Sequence, residues 1–467
     1  MRGCREMISR LRGFRMCQRC GGSLLAFLLL LFLPPCLSSA GEPADGAVYE
    51  VASAAELAER CQTVKPGDTV IIRNGTYAGQ VFRFTGTGTR DKPITLLAQT
   101  PGKVILTGSS RLIIDGRWLV ADGLHFIGGA LKSGSIVDFA ENDGGASAAQ
   151  HCTLRNTVIK DYNPRDPSIR YFWVTLNGYG HVVEYCMFSG QNHSGVTLCV
   201  RLENGKPAGH VIRRNYFAGR PKGKGNGFET IRIGTGAKMS TNARCLVTEN
   251  LFERCDGEIE IISNKSCENV YSRNTFLDCQ GTLTLRQGHR CIVEENVFIA
   301  RKARDSGGIR VTGRDHRITG NYFSGITGLG GAVISLKTGV RGNARGKYAQ
   351  VKNCIIENNT MVDNPAAIFL FGTGHEPEKG LYQPEAVSIS NTLIVATTAN
   401  PPKIVRGDIP GTVTWKNNVL VTKATVENLP RGVRREAVVP EAWSNRLAPK
   451  IWTPAEVGPR PSTGREQ

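Results

Sequence analysis

Two glutamates, a lysine and two arginines stand close together in this chain in types and spacings that can do chemistry. They fall in Gly257-Glu-Ile-Glu-Ile-Ile-Ser263, at Lys265, in Leu283-Thr-Leu-Arg286 and in Gly307-Gly-Ile-Arg310. In an extended strand alternate side chains share a face. Glu258 and Glu260 would then lie about 7 Å apart on an outer wall, with Ile259 and Ile261 turned to a core. Paired carboxylates can act as acid and base across a glycosidic bond. Glutamates two residues apart point in parallel rather than flanking a bond, however, and hydrolysis has no need of the neighbouring Lys265 and Arg286. A non-catalytic wall that binds polyanions is the other rival.

The elements that must position these groups repeat. Asn250-Leu-Phe252, Asn274-Thr-Phe276 and Asn296-Val-Phe298 are 24 and 22 residues apart, and Cys255, Cys267, Cys279 and Cys291 recur every 12. A fixed period in the low twenties with strand patterns and turns is the signature of a solenoid. The expected fold is all-β: a single-stranded right-handed parallel β-helix over residues 49–430. A 24-residue coil puts Arg286 one rung from Ile262 and Arg310 one rung further. The Asn signature extends through Asn156, Cys186 in its place, Asn215, Asn321, Asn359, Asn391 and Asn418. At a repeated turn, Asn tolerates left-handed geometry and bonds its stacked neighbour. Ser53–Cys61 reads as a short capping helix with Ser53 as N-cap and Glu56 completing a capping box. Loops at Asp161–Arg170, Gly219–Gly227 and Leu336–Tyr348 are where binding should sit. Residues 431–467 read as a tail that wraps the surface or frays.

Residues 1–40 read as a signal peptide. Six arginines and one glutamate precede an apolar run, Ser23–Leu33, and Ser38-Ser39-Ala40 is a small-residue cleavage motif. Eleven apolar residues are too few to span a bilayer. Cleavage near Ala40 would leave 41–48 as a linker and send the protein out of the cytoplasm, to the periplasm or beyond. The formal charge of +18 would fall to +13. A basic exported protein points to a polyanionic partner, and an acidic polysaccharide suits that compartment better than nucleic acid. Ten cysteines remain after residue 40. Their half-coil spacing suggests buried, mostly free thiols.

At several places the chain resembles polysaccharide lyase family six, which includes chondroitinase B and poly(β-D-mannuronate) lyases. Tyr49–Leu106, with Pro66-Gly-Asp-Thr-Val70 and Asn74-Gly-Thr-Tyr77, is similar to the family's start. Cys186-Met-Phe-Ser-Gly-Gln-Asn-His-Ser-Gly-Val196 is similar to a second motif. Asn226-Gly-Phe-Glu-Thr-Ile-Arg-Ile-Gly234, Glu258-Ile-Glu260, Ser263-Asn-Lys-Ser266 and Leu283-Thr-Leu-Arg-Gln-Gly288 resemble its active-site signatures. The resemblance covers residues 48–430. It implies a calcium-dependent lyase that cleaves by β-elimination. Asn226, Glu258 and Glu260 would bind Ca2+, Lys265 would be the base and Arg286 the acid. Where many members have His after that arginine this chain has Gln287, with His289 two residues on. Arg310, His289, Gln287, Arg232 and His193 are the candidate substrate contacts. Arg232 with Glu229 could equally be a structural pair. The implied substrate is alginate rich in mannuronate, with dermatan sulfate as the alternative. Lys222, Lys224, Arg341 and Arg345 are available for sulfate.

Overall fold

The computed structural model describes residues 46–139, 149–203, 205–340, 348–372, 381–399 and 401–460. The expected signal peptide, most of the linker, and Arg341 and Arg345 lie outside them. Each coil contributes one short strand to each of three long sheets, of 14, 12 and 14 strands. Consecutive coils pair in parallel, as in Ile231–Gly234 with Glu260–Lys265 and then Thr282–Gln287. Among the described residues the exception is a two-residue antiparallel pair, Gly339–Val340 with Leu381–Tyr382. This is the right-handed parallel β-helix. The strands run from Val48–Val51 to Val433–Glu436.

The repeat has a physical cause inside each coil. The phenylalanines of Asn-x-Phe stack through the core: Phe188, Phe217, Phe252, Phe276, Phe298 and Phe323 have ring centroids 4.5 to 5.1 Å apart. The asparagines form a buried ladder beside them. Each Nδ2 donates to the Oδ1 of the next, from Asn215 through Asn250, Asn274, Asn296 and Asn321 to Asn359, at 2.9 to 3.0 Å. Each Oδ1 also accepts the backbone N–H of the previous rung. Buried amides are thereby satisfied where an unpaired one would cost about 1–3 kcal/mol.

Two expectations about this column need correcting. The left-handed residue is the one before each ladder Asn, for example Arg214, Glu249, Arg273 and Glu295. Asn156 and Asn391 occupy that preceding position, with φ of 49° and 50°. Their ladder positions are taken by the buried Thr157 and Thr392, and Thr392 N donates to Asn418 Oδ1. Asn can serve either place, because it both accepts positive φ and bonds sideways.

A short helix closes the N-terminal end. Ser53 Oγ accepts from Glu56 N and Glu56 reaches back to Ala52 N, which starts the helix Ala54–Arg60 and seats Leu57 in the core. Beyond the last strand the chain turns back along the solenoid. Trp452 Nε1 donates to Arg273 O, Gly458 N to Arg214 O and Arg460 N to Asn156 Oδ1. The ten described cysteines are free, and all but Cys61 are buried.

A second column sits at the start of the first sheet. His181 Nδ1 accepts from Cys152 N, and His316 Nδ1 accepts from Cys291 N. Their Nε2 atoms therefore carry the proton, donated to Asn177 O and Thr312 O. Burial pushes both imidazoles down to about 4. The neutral form belongs to the fold, so its contribution is present above the ordinary histidine value near 6.5 and is lost as pH falls toward 4. Each histidine should cost about 1.4 kcal/mol per pH unit across that window. The urea midpoint should fall clearly between pH 7.5 and pH 5. An unchanged midpoint would show that these imidazoles are not held neutral.

Candidate active site

Successive coils deliver one wall of the second sheet. Its register runs from Arg232 to Ser263, Thr284, Arg310 and Ser335. The rung separations are 21 residues from Ile262 to Leu283 and 26 from Thr284 to Arg310. Arg286 therefore lies between the rungs of Asn264 and Lys265 rather than at that of Ile262, and Arg310 stacks on Thr284. Two irregularities flank this rung. Glu260 pairs Thr282 while Ile262 pairs Leu283, leaving Ile261 as the extra residue. Asn264 pairs Leu285 while Lys265 pairs Gln287, leaving Arg286 unpaired. Such bulges break the strand's alternation and re-aim side chains. Glu258 and Ile259 accordingly precede the strand, and Ile259 faces a cavity with Glu258 rather than the core.

Carboxylates and cations interlock here. Glu260 is only 6% exposed. Its Oε1 lies 3.4 Å from Arg286 Nε and 3.8 Å from Arg310 Nη1, and its Oε2 accepts from Ser263 Oγ at 2.5 Å. Glu229 lies 3.9 Å from both Lys265 Nζ and Arg232 Nη1. Glu258 Oε2 accepts from Gly227 N at 2.8 Å and Phe228 N at 3.1 Å. Burial, then the charges of Glu229 and Glu260, push the Glu258 carboxyl up to about 7 against the pull of those amides. Asn226, Asp256, Glu258 and Ile259 line a cavity of about 350 Å³. Over the other end, the Tyr348 ring lies 4.1 Å from the Arg286 guanidinium and 5.2 Å from that of Arg310.

The structure brings together Glu258, Glu260, Lys265, Arg286, Arg310 and Arg232 from the sequence reading. Asn226 lines the cavity beside Glu258, while His193, Gln287 and His289 are placed otherwise. His193 is fully buried, stacked on Tyr171 with ring centroids 3.9 Å apart. Gln287 is 3% exposed, and its carbonyl accepts from Asn264 Nδ2. His289 sits at the next turn, where its Nδ1 accepts from Arg314 N. These three are thus positioned to hold coils together. Glu229 joins the carboxylate group as well as pairing with Arg232; its signal was present in Asn226-Gly-Phe-Glu229. Tyr348 and Arg220 lie in the loops expected to bind, Leu336–Tyr348 and Gly219–Gly227, but nothing in those loops singled them out. Arg220 is buried below the turn, with Nη2 donating to Gly195 O and its guanidinium 5.6 Å from the Phe228 ring.

Hard oxygen donors of this kind suit Ca2+, which takes about 6–8 of them. Among the described residues no three His, Cys, Asp or Glu side chains converge closely enough to hold a metal ion. The chemistry nonetheless fits: the upward-shifted Glu258 beside two further carboxylates is a group that a cation would relieve. The exposed Asn226 amide and oxygens from a ligand would have to complete the shell.

The turn carrying Glu258 has no room to spare. A Cβ on Gly257 would meet Phe228 O at 2.2 Å and Arg220 Nε at 2.5 Å. Gly257→Ala should therefore cost about 1–3 kcal/mol by overpacking, read as a lower urea midpoint. An unchanged midpoint would show that the turn yields freely.

Comparison with known proteins now adds to this geometry. The family model for chondroitinase B matches residues 51–451. Among curated proteins none matches. The PL6 family alginate lyase AlyGC is 34% identical with a TM-score of 0.79. That match covers 88% of this chain and 56% of AlyGC, so this chain spans little more than half of AlyGC's length. A mannuronic acid specific polysaccharide family 6 lyase from human gut microbiota is 26% identical, with a TM-score of 0.77 over 88% of this chain and 96% of that one. Pedsa3628, a PL6 family polysaccharide lyase from Pseudopedobacter saltans, is 28% identical, with a TM-score of 0.73 over 88% and 99%. With the interlocked carboxylates and cations on one wall of the β-helix, these matches show that the chain belongs to the chondroitinase B family, polysaccharide lyase family six.

Proposed function

We propose that this protein is a polysaccharide lyase that cleaves a uronate-containing polyanion by β-elimination, with mannuronate-rich alginate as its substrate. The observation that carries the reading is the half-buried group of Lys265, Arg286 and Arg310 set against Glu229, Glu258 and Glu260 on one wall. The cations continue past Arg310 to Lys337, which lies within the charge fields of Arg310 and Arg406, and such a wall suits a linear polyanion. The mannuronate specificity of the family member from gut microbiota supports the choice of sugar. The chondroitinase B name of the family model supports dermatan sulfate as the second reading. The arginine-rich apolar run at residues 1–40 supports export.

Elimination takes the C5 proton of a uronate and expels the oxygen on C4. The proton is hard to remove because the adjacent carboxylate must take up further negative charge. Lys265 Nζ is the group we assign to accept it. Glu229 holds that amine and Arg232 together, which fixes where the base can reach. Arg286 and Arg310, oriented by Glu260, stabilise charge as the C4–O bond breaks. Asn226, Glu258 and Glu260 would hold Ca2+. When bound, that ion neutralises the substrate carboxylate and so lowers the barrier to C5 deprotonation.

The protein starting at Gly41 should generate ultraviolet absorbance from a new C4=C5 double bond on poly-mannuronate. Lys265→Ala should lower the rate by about 10²–10⁴-fold, the usual contribution of a general base. New reducing ends without absorbance would make the enzyme a hydrolase, and binding without either signal would make it a lectin-like wall. Signal on dermatan sulfate alone would select the second reading.

The metal has a separate readout. Calcium at 100 times its dissociation constant should stabilise the protein by about 2.7 kcal/mol, seen as a raised melting temperature that Glu258→Gln abolishes. A melting temperature indifferent to calcium would remove the ion from this scheme.

A further inference from the structure

Resting on the lyase reading, we infer that Arg220 is a positioning residue for the reaction. From inside the core it holds the segment Gly227–Glu229 in place, and through that segment both the Glu258 carboxylate and the Lys265 amine. Arg220 ends the strand Tyr216–Arg220 of the third sheet. Its side chain lies behind the catalytic wall rather than on it, with only 3% of the residue exposed.

A buried guanidinium is costly, and an apolar side chain of similar volume is often the more stable choice. This one is bonded to neutral acceptors among the described residues. Nη1 donates to Thr197 Oγ1 at 2.9 Å and to Gln191 Oε1. Nη2 donates to Gly195 O at 2.7 Å and to His193 O at 3.4 Å. Burial pushes the group down to about 10, and the neighbouring Cys255, Glu229 and Glu258 oppose that shift. Two of the groups that favour its charge are therefore carboxylates of the wall. Packing alone would not call for a planar fork of donors at this place.

The bonds run outward from the fork by two routes. Gly195 N donates to Gly227 O at 2.7 Å, and Gly227 N donates in turn to Glu258 Oε2. Thr197 N donates to Glu229 O at 3.3 Å, and Glu229 lies 3.9 Å from Lys265 Nζ. The same residue also braces the turn above it. Arg220 O accepts from Asp256 N at 2.8 Å, and a Cβ on Gly257 would meet Arg220 Nε at 2.5 Å. Arg220 thus spans the turn that carries Asn226 and the turn that carries Glu258. A lysine ammonium is a point donor without the fork, so it would keep the charge and lose the paired grip on Gly195 and Thr197.

Arg220→Lys should lower kcat on the polysaccharide that the wild type cleaves by about 10–100-fold, the usual cost of losing a supporting partner, with KM little changed. The calcium concentration that half-raises the melting temperature should rise by about the same factor. Thr197→Val keeps Arg220 and cuts one route, and it should shift both quantities in the same direction by less. Trp173→Phe is the control for mere loss of core packing. Trp173 borders the same core cavity as Arg220, and its indole bonds to none of these groups. It should lower the urea midpoint and leave kcat and the calcium midpoint unchanged. Unchanged values in Arg220→Lys and Thr197→Val, a change in KM alone, or an equal shift in Trp173→Phe overturns the inference. A wild type inactive on every uronan refutes the lyase reading alone, because the calcium midpoint tests Arg220 without turnover. A wild type indifferent to calcium removes the ion alone, and kcat then decides.

Discussion

Vertical register between coils is the constraint on which the rest depends, and the buried asparagine ladder enforces it. Each Asn from Asn215 to Asn321 donates through its side-chain amide to the next rung and accepts at its carbonyl oxygen from the previous one. A slip of one residue would replace buried paired amides with unpaired ones and turn each strand's side chains to the wrong face. The phenylalanine stack two residues on adds a second, apolar check on the same register. With this corner locked, the wall of the second sheet inherits fixed neighbours. Arg232, Ser263, Thr284 and Arg310 stand one above another because the ladder leaves them no alternative.

On that rigid lattice the site is made from departures. The bulge at Ile261 falls in the coil that carries Glu260 and Lys265, and that at Arg286 in the next coil. They interrupt alternation where a regular strand would send a charge inward or leave it alone in solvent. The result is a half-buried set of three carboxylates among several cations. Each carboxylate has a separate anchor: Glu258 on backbone amides, Glu260 on two arginines and Ser263, and Glu229 on Lys265 and Arg232. Removing charge from water is costly unless it is paired and hydrogen-bonded. Concentrating so much of it here is what makes this wall the candidate site.

Much of this was legible in the residues. The Asn-x-Phe repeat named the fold, because one side-chain pair repeated at coil length has only a stacked solution. Glu258, Glu260, Lys265 and Arg286 were legible because a lysine and an arginine beside paired carboxylates on successive rungs form an unusual pattern. Other signals misled. Asn156 and Asn391 matched the repeat but sit one position early, since one residue type satisfies two adjacent roles. His193 and Gln287 looked like exposed polar contacts but are buried, because polarity alone does not distinguish a groove from a satisfied interior bond. Tyr348 follows a basic loop, and a single tyrosine at a loop end carries no periodicity to reveal its neighbours.

The sequence by itself determined the periodicity, the coil length near two dozen residues, the stacked polar and aromatic columns, and the chemical inventory of the wall. All of these follow from local patterning, which a chain carries wherever it goes. Only the tertiary structure decided which rung each group occupies. The 21- and 26-residue separations replace a uniform 24, and a shift of a few residues changes which charges meet. It also brought Glu229 to Lys265 across 36 residues of chain and Tyr348 to Arg286 across 62. Such contacts depend on loop lengths and bulges summed over whole coils, and no short window of sequence contains that sum.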